Sequence, residues 1–108
     1  MHAALICTLG PDVESLRLEL RASHLEYIAS KRTNILFGGP TLSAEGHPER
    51  MLIILAVPDL DAAHAFVAGE PYSAHGVFET VEVRAWSQVL PELEPGALDR
   101  ARALAATL

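Results

Sequence analysis

Met51-Leu52-Ile53-Ile54-Leu55-Ala56-Val57 is a run of seven apolar residues with no polar break. It reads as a strand in the centre of a sheet. Upstream, the polar connection Thr41 to Arg50, with Gly46 and Pro48, leads back to Asn34-Ile35-Leu36-Phe37. That segment is a second short strand, which Gly38-Gly39-Pro40 is expected to stop, since proline removes a ladder donor. Ile35 to Val57 therefore reads as a long hairpin. Downstream, Pro58-Asp59-Leu60-Asp61 starts a helix with Asp59 or Asp61 as N-cap. Its apolar face is Leu60, Ala63, His64, Phe66 and Val67, and Gly69 ends it. Glu70-Pro71-Tyr72-Ser73 reads as a loop.

Farther out, Ala3 to Leu9 is an apolar run closed by Gly10-Pro11, the pattern of a strand buried on both faces. A helix is expected from Val13 to Lys31, with Asp12 as cap and Glu14 in its first turn, where the helix dipole favours an anion. Val77 to Trp86 alternates as the fourth strand. Val77, Glu79, Val81, Val83 and Ala85 point one way and suit packing under helices. Phe78, Thr80, Glu82, Arg84 and Trp86 point the other way. Pro91 to Pro95 is a polar linker, and Gly96 to Leu108 reads as an Ala-rich helix, either covering a neighbouring subunit or fraying as a tail.

The order β-α-β-β-α-β is the split βαβ, ferredoxin-like pattern: an α+β sandwich with both helices on one sheet face. Residues 1–90 form this unit, and 91–108 a linker and added helix. The second sheet face, carrying Phe78 and Trp86, needs a cover. A second copy of the chain, forming a two-fold dimer across that face, is the economical solution.

Half of the 108 residues are hydrophobic, enough for one small domain with a mostly aliphatic core. The net charge of −6, with only eight Lys and Arg, argues against a nucleic-acid partner or an anionic membrane surface. Cys7 is the only cysteine, which excludes an intrachain disulfide and a thiolate zinc cluster and fits a reducing compartment. The run Ala3–Leu9 has no basic residue before it and is too short for a signal peptide or a membrane span, so a cytoplasmic location is expected.

In the first helix Leu20, His24 and Ile28 are spaced by four, and Val13 and Leu16 extend the same face. A histidine thus interrupts an apolar stripe that should pack on the sheet. It is either a core histidine satisfied by one hydrogen bond or a general acid/base at the edge of a pocket. His2, His47, His64 and His75 show no H-x-H or H-x-x-x-H spacing, so no intrinsic metal is expected. No phosphate loop, G-x-G-x-x-G or G-x-S-x-G occurs, and no cofactor is expected. Cys7, in a buried strand, is expected to be inert.

Four pieces of the chain, in order, resemble the YciI-like (YCII-related) family. They are Arg21-x-x-His24-Leu25, Gly38-Gly39-Pro40, Glu70-Pro71-Tyr72 and Gly76-Val77-Phe78, and the match spans about residues 3 to 90. The resemblance implies a ferredoxin-like fold, dimers whose sheets pack face to face, and an active site holding a histidine and a carboxylate. One relative in the group is described as a dehydrochlorinase of a chlorinated aromatic diol or triol. The family motif usually has Asp before Pro-Tyr. Here it is Glu70, whose extra methylene changes its reach.

On that footing His24 and Glu70 are the candidate catalytic pair, the carboxylate fixing the imidazole tautomer and raising its basicity. They are expected to meet across the dimer cleft or at the sheet edge. The alternative is a solvated acid that merely ends a helix, next to a core histidine. Tyr72 could donate to a substrate oxygen, or could cover the core edge with its hydroxyl in water. Arg21 could bind a carboxylate or phenolate, or pair with Glu70, Glu14 or Glu26. Gly39 and Pro40 could leave backbone amides open to a ligand, or simply end the strand. His75 could join the same pocket. Glu82 and Arg84 are expected to pair, within a dimer interface or in a pocket.

Three functions fit: a cofactor-independent lyase or isomerase acting on a small polar or aromatic substrate, a non-catalytic dimeric small-molecule-binding or regulatory module, and a metal-free dimeric-barrel monooxygenase.

Overall fold

The computed structural model describes residues 1–108. In chain order it has β1 (His2–Leu9), α1 (Glu14–Ser30), a 3₁₀ turn at Arg32–Asn34, β2 (Ile35–Leu42), β3 (Pro48–Ala56), α2 (Leu60–Gly69), α3 (Pro71–Ala74), β4 (Phe78–Trp86) and α4 (Ala97–Ala105). The four strands form one antiparallel sheet in the order β2-β3-β1-β4. This is the ferredoxin-like α+β arrangement the element order predicts. The run from Met51 lies in β3, which shares the centre of the sheet with β1. No helix is long and apolar enough to cross a membrane.

The core is built where the odd-numbered residues of the central strands meet the helices: Ala3, Leu5 and Cys7 of β1, Ile53 and Leu55 of β3, Ala63 and Phe66 of α2. Ala3 and Ala63 are fully buried, and their small side chains let α2 approach the sheet closely. Asp59 caps α2 as expected, accepting from the Ala62 N–H at 2.9 Å. Asp12 does not cap α1. It sits at φ +56 in the turn after β1, so Val13 occupies the cap position and makes no side-chain bond.

Three further expectations are corrected. Gly38-Gly39-Pro40 does not stop β2, which continues through all three to Leu42. β2 is an edge strand, where a proline that cannot donate is tolerated. Glu70–Ser73 is not an irregular loop: Pro71 opens the one-turn helix α3. Phe78 does not share a face with Trp86. The β1–β4 register shifts between Thr8, opposite Thr80, and Leu9, opposite Phe78, so Glu79 is an extra residue. This bulge turns Phe78 onto the helix side, against the core.

The other sheet face carries Leu52 and, after a second irregularity between Ile35 and Phe37, Phe37. These are 43% and 57% exposed. Trp86 is half-buried there, its ring 6.0 Å from that of His2. Glu82 and Arg84 do pair on this face, at 3.8 Å, but both are largely exposed, and such a pair is worth at most about 1 kcal/mol. α4 follows Gly96 at φ +81 and is tied to its own linker, the Glu92 carboxylate accepting from the Leu98 N–H.

Candidate functional site

The helical repeat places Arg17, Arg21, His24 and Ile28 on one side of α1. His24 is the only buried residue of that helix, at 5% exposure. Glu70, 3% exposed, lies between α2 and α3. The following proline holds it in extended backbone, φ −76 and ψ 124, the conformation of a helix N-cap. One carboxylate oxygen, Oε2, caps α3 by accepting from the Ser73 N–H at 3.1 Å. The other, Oε1, accepts from Nδ1 of His24. An ionised carboxylate only accepts, so Nδ1 carries the hydrogen, and in a neutral imidazole Nε2 then has the lone pair. The length of glutamate lets one side chain do both tasks.

This contact forms within a single chain. α1 and α3 lie side by side on the same sheet face, so neither a dimer cleft nor the sheet edge is needed to bring the two residues together. Glu70 is no solvated acid.

Tyr72 closes the other side of the imidazole. Its ring stacks on His24 at 3.9 Å and 8°, and it meets Phe78 edge-on at 6.0 Å. It is 2% exposed, so its hydroxyl is not in water as a core-edge residue's would be, and that hydroxyl has no hydrogen-bond partner. A buried hydroxyl left unpaired costs roughly 1–3 kcal/mol and is an exception that calls for an explanation.

A cavity of about 410 Å³ lies between α1 and the β2–β3 hairpin, within the range of small-molecule sites (about 300–1,000 Å³). His24, Tyr72, Arg21, Gly39 and Pro40 all line it. Glu70 stands behind His24 and lines only a small void on the core side. A carboxylate thus stands behind an imidazole that borders open space. His75 is exposed and does not reach the cavity.

Neither glycine in the motif has a positive φ, and only Gly38, opposite Ile53, faces the helix side; Gly39, opposite Leu52, faces the other way. A Cβ at Gly38 would sit 3.6 Å from Ile35 and 3.7 Å from Ile53, and one at Gly39 would meet nothing within 4 Å. Arg17, Phe78 and Met51 line the cavity too and were missed. Arg17 was legible, four residues before Arg21 and seven before His24. Phe78 depended on the bulge.

The Glu70 charge is felt nearby. Burial, with Glu70 adding to it, pushes the Cys7 thiol up to about 12. The same two causes raise Tyr27, whose hydroxyl donates to the Phe66 carbonyl at 2.8 Å. Cys7 is therefore a protonated thiol, as its strand position suggested.

The model of the YCII-related domain matches residues 1–87. The chain belongs to the YCII-related family. Among solved structures the chain is similar to 5-chloro-2-hydroxyhydroquinone dehydrochlorinase (TftG) from Burkholderia phenoliruptrix AC1100, in complex with 2,5-dihydroxybenzoquinone. The two are 26% identical with a TM-score of 0.76, over 82% of this chain and 95% of that one. Rv0793 from Mycobacterium tuberculosis shares the fold at 20% identity and a TM-score of 0.51, over 83% of this chain and 99% of that one. A search of the curated proteins gave no match.

Proposed function

We propose that this YCII-related protein is a cofactor-independent enzyme of the lyase or isomerase type. In this reading His24 is the general base and then the general acid, and Glu70 orients it. The supporting observation is the His24–Glu70 bond, buried on the core side while the imidazole borders a cavity. Nε2 takes a proton from an O–H or C–H of the substrate. The imidazolium that forms is held by the Glu70 carboxylate. The proton returns to another atom of the same molecule in an isomerisation. In an elimination it passes to solvent as a leaving anion departs. Tyr72 and Arg21 hold the substrate, and Gly39 and Pro40 form its far wall.

The likeness to a dehydrochlorinase that binds a dihydroxybenzoquinone makes small hydroxylated aromatics the first substrates to try. Incubation with 5-chloro-2-hydroxyhydroquinone, following chloride release and quinone absorbance, tests the reading. Turnover should fall by 10²–10⁴-fold, roughly the worth of a positioned acid/base, in His24→Gln. Equal rates in the wild type and His24→Gln would refute the catalytic role. We further propose that two copies pair through the open sheet face around Phe37, Leu52 and Trp86, which would cover this apolar patch.

A further inference from the structure

We infer that the His24 cavity selects organic anions: single-ring or comparably small unsaturated carboxylates, with the carboxylate on Arg17 and Arg21 and the reacting atom at His24. This rests on the reading that the cavity is the substrate site, and adds the class of molecule it takes.

The chain is acidic overall, with fourteen Asp and Glu against eight Lys and Arg. The cavity wall reverses that balance: it includes Arg17, Arg21 and Arg50 and not one carboxylate. Arg84, Arg100 and Arg102 elsewhere are each within 4 Å of an acid. Arg17 and Arg21 have no such partner, although Glu14 lies three residues before Arg17, on the same helix. Two like charges four apart on a helix repel, which is an unfavourable arrangement unless something neutralises them.

The spacing limits the ligand's size. At 1.5 Å per residue, Arg21 and Arg17 lie about 4.5 and 10 Å along the helix axis from His24. One carboxylated ring, anchored in the bidentate manner a guanidinium allows, spans that interval. The rest of the wall is largely apolar, with Met51, Ile53, Phe78 and, one turn beyond His24, Ile28. Tyr72 also lines the cavity, and its hydroxyl is sealed from solvent and without a partner in the free protein.

The test compares 2,5-dihydroxybenzoate with hydroquinone, a matched pair differing by one carboxylate, by calorimetry or NMR titration of the full chain. The benzoate should bind at least tenfold tighter. That preference should shrink in R17Q and in R21Q, vanish in the double variant, and weaken on raising salt from 50 to 500 mM, because these arginines are partly open to solvent. Both sites being on the helix surface, circular dichroism confirms that the variants stay folded. In H24Q the preference should persist while turnover is lost. Loss of turnover without loss of preference leaves both readings standing. A preference seen with H24Q as active as the wild type sinks the catalytic reading alone. Equal affinity for the two probes, no binding of either at millimolar concentration, or a preference intact in the double arginine variant overturns the anion site.

Discussion

The His24–Glu70 bond can be tested for its energetic coupling before any substrate is known. Glu70→Ala strips the hydrogen-bond acceptor from two buried donors, Nδ1 of His24 and the Ser73 amide. An unsatisfied buried donor costs about 1–3 kcal/mol, and removing one partner of a buried pair about 3–5. A loss of about 3–5 kcal/mol is expected for Glu70→Ala, and a similar loss for His24→Ala, which strands the Oε1 of the carboxylate and removes the ring stacked on Tyr72. A domain of this size has roughly 5–15 kcal/mol in total, so each variant gives up a large part of it. In the double variant neither His24 Nδ1 nor Glu70 Oε1 remains, and only the Ser73 amide lacks its partner. The two losses should therefore fall short of additivity by about 2 kcal/mol. Urea unfolding followed by far-UV circular dichroism and by the fluorescence of Trp86, the only tryptophan, measures this. Protein concentration must be held constant in case dimers dissociate. Losses that add to within about 0.5 kcal/mol would show that the two side chains do not act as a pair, and the account of the site would fail.

Tyr72→Phe removes a buried hydroxyl that has no partner, so stability should stay the same or rise while ligand affinity drops; a fall in stability of more than about 1 kcal/mol would mean that the hydroxyl is bonded in the free protein. Gly69→Ala puts a Cβ 2.9 Å from the Tyr27 hydroxyl and 3.2 Å from its ring, and overpacking of this kind costs about 1–3 kcal/mol; thermal melts should show the loss, reduced in a Tyr27→Phe background. Because the folded-state pKa of Cys7 is raised from 9.0 to about 12, its contribution to stability is complete below pH 9 and is lost as pH rises towards 12. Cys7→Ala should flatten this alkaline limb, and native Cys7 should resist thiol reagents at pH 8. Leu52→Lys, on the exposed sheet face, should shift the particle to monomer mass in light scattering if the face pairs two copies, and an unchanged mass would contradict that packing.

Much of the fold was legible because alternation and helical periodicity are local. The apolar run from Met51 marks a central strand, and the apolar stripes of α1 and α2 predict two helices over one sheet face. What escaped reading depended on contacts between strands. The extra residue at Glu79 reverses the face of Phe78, and only the pairing of Leu9 with Phe78 reveals it. The passage of β2 through Gly38-Gly39-Pro40 depends on that strand lying at the edge of the sheet. Within the site, His24 stood out as a polar break in an apolar stripe, and Glu70 came from resemblance to the family. Their meeting inside one chain required the short helix α3, whose Pro71 start can be read, with hindsight, in the same three residues. Arg17 shares the face of His24 and Arg21 through the same helical repeat.

Catalysis at His24 requires that Glu70 hold the ring with Nδ1 protonated and Nε2 turned to the cavity. Long-range ¹H–¹⁵N correlation spectra of the His24 imidazole test it most directly. The Nδ1–H tautomer is expected in the free protein, with its loss in Glu70→Ala and a response of Nε2 when a cavity ligand is added. An Nε2–H tautomer, or a ring whose nitrogens are unchanged by Glu70→Ala, would contradict it.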